Sequence, residues 1–198
     1  MKTSKWTMIG GVMVSLLTWS AGVLAAVIQV SPTQGTVEFD AVGRPAMLKI
    51  HGVGAGPEGS LSIEQGKVTG ELYFELNTLD TGISLRNKHM KEKYLKTGEH
   101  PKAVLRLDPV AGLASWNSSS DLRNVAFTGT LSLSGSAKPV SGTVSVSPSS
   151  GKSIVEARFE LKLTDFGIEL PTFAGITVAD MVQLQVRMQE IALPAGVK

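Results

Sequence analysis

Three histidines are the side chains best suited to acid–base or metal chemistry in this chain. His51, His89 and His100 lie far apart, and no two of them have the short spacing that brings two imidazoles to one metal. We expect His51 to be solvated on the polar face of a strand, and His100, which precedes Pro101, to lie in an extended loop. His89 follows Arg86 by three residues on a predicted helix, so these two side chains share a face.

The other residue types argue against the common enzyme classes. The 198 residues include no cysteine, which excludes thiol catalysis, cysteine-based zinc sites and iron–sulfur ligation. The sequence also lacks a Gly-x-Ser-x-Gly motif and a glycine-rich phosphate loop. Glu71, Glu75 and Asp80 supply carboxylates for a glycosidase pair, but the sequence does not fix their separation. We therefore predict no catalytic residue, no metal ligand and no cofactor.

The N-terminal segment has the pattern of a secretory signal peptide. Lys2 and Lys5 precede an apolar run over residues 8–17, and small residues follow, with Val23 and Ala25 suitably placed before a cleavage site. The alternative is an uncleaved anchor, but glycine and serine dilute the run, which is short for a span of about 20 residues. We predict a signal peptide over residues 1–26, a mature domain over 27–198, no permanent membrane anchor, and a periplasmic or secreted location.

Charge and composition give little support for a nucleic-acid partner. The formal charge of the whole chain is +2, and loss of Lys2 and Lys5 with the signal peptide leaves 0. Aromatic residues make up 6% of the chain, which is a poor basis for a surface that stacks bases between cations. A domain of this length and hydrophobic content buries an ordinary core without disulfides.

Period-two alternation of apolar and polar residues dominates the mature chain and indicates half-buried strands. The clearest example is residues 124–134, where Val125, Phe127, Leu131 and Leu133 share one face. The pattern predicts nine strands, at residues 36–41, 47–53, 60–63, 68–76, 103–107, 124–134, 140–146, 155–163 and 182–188.

Short spacers rich in glycine, proline and serine separate these strands and predict antiparallel hairpins. Residues 83–95 are the exception: they lack alternation, and Met90 and Tyr94 give a short helix one apolar contact line. Many strands, one helix and one domain are compatible with a sandwich or a barrel, and the pattern alone does not choose between them.

Two segments carry a family resemblance. Residues 79–101, LDTGISLRNKHMKEKYLKTGEHP, resemble the signature of the YceI family, and residues 163–186 resemble its Asp-Phe-Gly-Ile stretch and last strand. Asn87 departs from the aspartate usual in that signature. The matching positions in the first segment are Asp80, Thr81, Gly82, Arg86, His89, Met90, Tyr94, Leu95 and Pro101.

The resemblance implies an all-β fold, namely a single antiparallel eight-stranded extended barrel, lipocalin-like, with one short helix after the Asp-Thr-Gly motif. It further implies that the lumen holds a polyisoprenoid or a similar long apolar chain. Alternation supplies an uncharged set of inward-facing side chains for such a lumen. We expect the ligand to contact Leu72, Phe74, Leu76, Phe127, Leu131, Phe159, Leu161 and Val186.

The helix after the Asp-Thr-Gly motif has two interpretations. Arg86 and His89 are candidates to bind a polar head group at the mouth of the barrel. Alternatively, Asp80 and Arg86 pair and pin the helix across the barrel. Asn87 removes one acceptor charge from the family pattern. A second set of apolar loop residues either closes the lumen or packs beneath it: Phe166, Ile168, Phe173 and Ile176.

These observations predict an exported binding protein rather than an enzyme. Its ligand is expected to be a polyisoprenoid or isoprenoid quinone, and a homodimer is compatible with the sequence. Two alternatives remain open, an enzyme that uses the lumen as its active site and an interaction protein whose barrel interior is filled.

Overall fold

The computed structural model describes residues 26–45, 48–113, 116–117, 119–173 and 175–192. It contains one twelve-stranded sheet in which every pair of neighbouring strands is antiparallel. No helix within these ranges is both long enough and apolar enough to cross a membrane. The predicted signal peptide lies outside the described residues, except for Ala26.

The strands are β1 (Ala26–Val30), β2 (Gly35–Arg44), β3 (Leu48–Ala55), β4 (Glu58–Glu64), β5 (Lys67–Glu75), β6 (Lys102–Val110), β7 (Leu122–Leu133), β8 (Ser136–Ser149), β9 (Lys152–Lys162), β10 (Thr172–Phe173), β11 (Ile176–Val178) and β12 (Met181–Ile191). One α-helix, α1 (Ser84–His89), continues into a π-helical turn, Met90–Tyr94.

The first hairpin has two arms, β1 followed by β2 and β3 followed by β4, and it joins the two ends of the curved sheet. At one end β2, which pairs with β3, is hydrogen-bonded to β12. At the other end β4, which pairs with β1, is hydrogen-bonded to β5. Between these ends the strands follow the order β5–β6–β7–β8–β9–β12. A bridge between Val53 and Asp80 also ties β3 to the segment after β5. The sheet therefore curls into a barrel around an apolar interior.

Both strands of the first hairpin bend at the same level. A 3₁₀ turn at Pro32–Gln34 separates β1 from β2, and Gly56 lies between β3 and β4. The Gly56 backbone N–H donates to the Pro32 carbonyl at 2.9 Å, and a Cβ at Gly56 would lie 2.9 Å from the Gly35 backbone. Glycine at position 56 thus lets the two bends touch.

The bends explain how the structure differs from the expected eight strands. The predicted all-β barrel is confirmed and each of the nine predicted segments overlaps a strand, although Met47 lies outside the described residues. The count of eight is wrong because the bends break two long passes of the chain into four strands. The nine predicted segments also omit β1 and the short strands β10 and β11.

The two ends of the barrel are built differently. One end, which we call the mouth, carries α1, the π turn, the 3₁₀ turn Thr164–Phe166 and the β10–β11 hairpin. The opposite end, the floor, is filled by Trp116, which is only 2% exposed and donates from its indole Nε1 to the Ser153 hydroxyl at 3.1 Å. Val68 and Ile191 line the same small chamber as Trp116, and Ile28 and Val146 are fully buried members of the same core.

Candidate ligand-binding lumen

A cavity of about 520 Å³ occupies the interior between the floor and the mouth. It is lined by the inward faces of the strands, because alternate side chains of a strand point to the same side of the sheet. The ten residues proposed from the sequence all line it: Leu72, Phe74, Leu76, Arg86, His89, Phe127, Leu131, Phe159, Leu161 and Val186. The interior is therefore not packed solid, which argues against the filled-barrel alternative.

The lining is apolar throughout its depth and polar only at the mouth. Four of its polar side chains belong to the segment after β5 and one to β10, and among the described lining residues they are Thr81, Arg86, His89, Tyr94 and Thr172. In the described part of the chain, every buried side-chain nitrogen or oxygen has a hydrogen-bond partner. The deep lumen thus presents hydrocarbon and no polar group awaiting a ligand.

Arg86 braces the turn before its own helix. Its Nε donates to the Thr81 hydroxyl at 2.8 Å and its Nη2 donates to the Thr81 carbonyl at 2.6 Å. The expected pairing of Arg86 with Asp80 is therefore replaced by bonds to the neighbouring threonine. Because Arg86 also lines the cavity, the same residue fixes the helix and borders the mouth.

Asp80 and Asn87 form the second half of this brace. Asp80 accepts from the Gly82 backbone N–H and from the Asn87 amide, both at 2.7 Å, and these bonds hold the pKa of Asp80 below its ordinary value. The Asn87 carbonyl oxygen accepts from the backbone N–H and the hydroxyl of Thr81, at 2.8 and 2.7 Å. Asn87 therefore donates and accepts at once, which a carboxylate cannot do.

A second carboxylate fixes the opposite side of the mouth. Asp180 accepts from the backbone N–H of Thr164 at 2.9 Å and from its hydroxyl at 2.7 Å. These two bonds lower the pKa of Asp180. Of the loop residues considered from the sequence, Ile168 and Ile176 line the cavity, whereas Phe166 is buried without lining it. The Phe173 side chain lies outside what the structure describes.

A narrow chamber of about 90 Å³ lies between the main cavity and the floor, and Trp116 is part of its lining. Phe127 lines both chambers, and its ring packs edge-to-face against Phe159, with 6.1 Å between centroids. Phe159 lines only the larger chamber. Six described residues line both chambers and mark the waist between them; Phe127 is the largest, and the others are Pro57, Leu72, Leu105, Ala157 and Val186.

Sequence reasoning missed the contribution of the first hairpin. Val37, Phe39 and Ala41 of β2 and Ile50 of β3 all line the cavity. Their alternation with charged residues predicts strands but carries no sign that this hairpin closes the barrel. That information lies in long-range pairing, which a single sequence does not display.

The outer face of the barrel carries the charged side chains. His51 lies 3.0 Å from Asp40 on exposed β2 and β3 positions, as expected for a solvated histidine. Glu71 accepts from the Tyr73 hydroxyl and from Arg106, and these bonds lower the pKa of Glu71. Because Leu72 and Phe74 face inward on β5, Glu71 and Glu75 point out of the barrel and do not pair as catalytic carboxylates within it.

Comparison with known proteins gives a consistent result. The family model described as a YceI-like domain matches residues 29–189. A polyisoprenoid-binding domain from Saccharophagus degradans, implicated in plant cell wall breakdown, aligns with a TM-score of 0.62 at 16% identity, covering 84% of this chain and 97% of that one. BcnA from Burkholderia cenocepacia aligns with a TM-score of 0.63 at 16% identity, covering 80% and 98%.

At this level of identity the structural likenesses establish the fold. The search of curated proteins finds no match. The family model, in contrast, spans nearly the whole described barrel, including the Asp-Thr-Gly turn and the last strand. This chain therefore belongs to the YceI-like family.

Proposed function

We propose that this protein is exported and carries or sequesters a long apolar lipid, of the polyisoprenoid or isoprenoid quinone type, in its lumen. The observation that carries the proposal is the 520 Å³ cavity whose polar lining residues all lie at the mouth. Family membership and the structural likeness to the polyisoprenoid-binding domain of S. degradans support the same ligand class.

The energetics favour a slender hydrocarbon chain. The cavity volume falls in the range of about 300–1,000 Å³ typical of small-molecule sites, and an eight-pass barrel has room for one narrow ligand. Burial of apolar surface contributes about 25 cal/mol per Å², so a long chain binds tightly without polar contacts. A polar group deep in this lumen would lose its water and gain no partner.

The head group of such a lipid would remain at the mouth, beside Arg86, His89 and Tyr94. A guanidinium has about five N–H donors, and Thr81 occupies two of those of Arg86. Arg86 is therefore able to brace the helix and still donate to an oxygen of the ligand. This unites the two interpretations of the helix that the sequence left open.

The test is to identify what the purified protein contains. Organic extraction followed by mass spectrometry should recover a polyisoprenoid or quinone in about stoichiometric amount. Ala157 lines the cavity, whereas Ala126 is exposed on the outer face of β7. Ala157→Phe should lose most of the bound lipid because the ring fills the lumen, and the matched control Ala126→Phe should keep it.

Two results would contradict the proposal. One is protein that is consistently empty and also fails to take up added polyprenols and quinones. The other is equal lipid content in Ala157→Phe and Ala126→Phe, because the lipid would then lie outside the lumen. Export is tested separately, by fractionating the producing cells and measuring the mass of the mature chain, which should begin at residue 26 or 27.

A further inference from the structure

The mouth has an apolar rim that water reaches. Ile83 and Leu85 are 52% and 54% exposed, and Leu48, across the opening on β3, is 38% exposed. All three also line the cavity. The rim is therefore the outer edge of the lumen surface rather than an isolated patch. Exposed large apolar side chains grouped around an opening are typical of a surface that contacts a membrane, a protein partner or a ligand.

Basic side chains surround this rim on the helix side. Within α1 and the π turn, Arg86, Lys88, Lys91 and Lys93 are accompanied by one acid, Glu92. Arg44 and Lys49 flank the rim at the end of the β2–β3 hairpin.

The end of β9 and the turn after it, at another part of the mouth, carry more acidic than basic side chains, and Lys162 is the basic one. Asp165 lies in the 3₁₀ turn after β9, and Glu169 follows it. Charge is thus distributed unevenly around the opening, so the protein would approach an anionic surface with its basic helix side first.

We propose that the rim formed by Leu48, Ile83 and Leu85 docks on the anionic surface of a lipid bilayer, with the basic helix side toward the head groups. The inference rests on the proposed function, because the cargo of a lipid carrier has to pass between bilayer and lumen. Each basic residue near an anionic membrane adds about 1 kcal/mol, or about five-fold in affinity. The hydrocarbon chain of the lipid can then pass along the apolar rim between bilayer and lumen without crossing water.

The absence of cysteine in this chain makes a local probe straightforward. Leu85→Cys and, as a matched control, Ala126→Cys are labelled on the full chain with an environment-sensitive nitrobenzoxadiazole fluorophore. Phosphatidylglycerol-containing vesicles should shift the emission of the Leu85 probe to the blue and brighten it. Pure phosphatidylcholine vesicles should produce a much smaller change, and the Ala126 probe should stay unchanged on both.

Charge is tested on the same labelled protein. Lys88→Glu should weaken the response on anionic vesicles at least about five-fold. Lys67→Glu, which makes the same change in net charge at the floor end, should have little effect. High salt should weaken the docking of the parent protein because it screens exposed charges.

Three outcomes would overturn the proposal. The first is a Leu85 probe that responds no more than the Ala126 probe, and the second is an equal response on neutral and anionic vesicles. The third is a shift that depends on protein concentration without vesicles, which would assign the rim to a second copy of the chain. Lipid content of the same preparations is measured by extraction: loaded protein that fails to dock refutes docking alone, and empty protein that docks refutes the carrier function alone.

Discussion

Asn87 illustrates how one residue type matches its immediate neighbours. Its amide donates to Asp80 while its carbonyl oxygen accepts from Thr81, so it joins the two residues of the Asp-Thr-Gly turn. The sequence identified these residues as a motif, but one of its two interpretations paired Arg86 with Asp80, whereas Arg86 donates to Thr81. Pairing within such a cluster depends on side-chain directions that spacing alone does not specify.

Asn87→Asp should destabilise the mouth even though aspartate is usual at this position in the family signature. Two carboxylates would then face each other at hydrogen-bond distance, and their repulsion grows as both ionise. We expect the variant to have a lower Tm than the parent at pH 7 and a smaller deficit near pH 4. Asn87→Ala loses both the donor to Asp80 and the acceptor for Thr81 but adds no charge, so its deficit should change less between pH 7 and pH 4 than that of Asn87→Asp. Equal pH profiles for the two variants would refute the explanation.

Phe127 should set the length of lipid chain that the lumen accepts, because it is the largest side chain among those that line both the main cavity and the chamber above the floor. Phe127→Leu should join the two and extend uptake to longer polyprenols in a competition assay of graded chain lengths. The matched control is Phe159→Leu, which enlarges only the main cavity. Both should cost less than the roughly 3–5 kcal/mol of a Phe-to-Ala truncation. An identical length preference in the two variants would show that the waist does not matter.

At the level of elements, strong alternation predicted strands well and local irregularity poorly. The segment predicted as a strand at residues 155–163 lies in β9, except for its last residue, which follows the strand. The π turn Met90–Tyr94 was predicted only as part of a short helix, because no residue type marks the change of hydrogen-bond register. Strands β10 and β11 are two and three residues long, too short to show a period.

The 3₁₀ turn at Thr164–Phe166 should loosen in acid, because Asp180 holds it. The pKa of Asp180 is lower in the folded chain than its ordinary value of 3.8, so folding favours the charged form. The stabilisation is therefore present above that value and is lost as the pH falls below it, through the folded-state pKa. Hydrogen exchange of the Thr164 amide should show protection that falls over this window.

Asp180→Asn is the variant that checks the assignment. The protection of the Thr164 amide should be weaker than in the parent at pH 6 and should change little as the pH is lowered. Asp165→Asn, a neighbouring exposed carboxylate in the same turn, serves as the control and should retain the parent profile. A parent-like acid profile in Asp180→Asn would assign the transition to another group.

For the whole molecule, alternation made the inner surface predictable but not its shape. Eight lining residues were identified from strand faces and two, Arg86 and His89, from the helix, yet Val37, Phe39 and Ile50 were not assigned to the lumen. The two-residue period of a strand shows which side chains share a face, whereas the pairing of distant strands decides which faces enclose the lumen. The bends in the first hairpin set which strands meet, and Gly56 is a local sign of them.

An empty lumen should leave the protein less stable than a loaded one. Ligand that binds only the folded state stabilises by about 2.7 kcal/mol at 100 times its Kd, which corresponds to roughly 5–10 °C in Tm for a chain of this size. Delipidated protein should melt lower by about that amount and recover when polyprenol is added. Ala157→Phe should melt independently of added polyprenol; a ligand-dependent shift in that variant would indicate binding elsewhere.

The filled floor also determines by which end a ligand enters and leaves the barrel. Trp116 and the buried side chains around it leave the mouth as the open end of the barrel in the part of the chain that the structure describes. A lipid bound as proposed would therefore enter the lumen with its tail first and leave it with its head group first. An enzyme or acceptor that received such a lipid would contact the head group before the tail, so it would recognise the end of the molecule, and chain length would be selected inside the lumen.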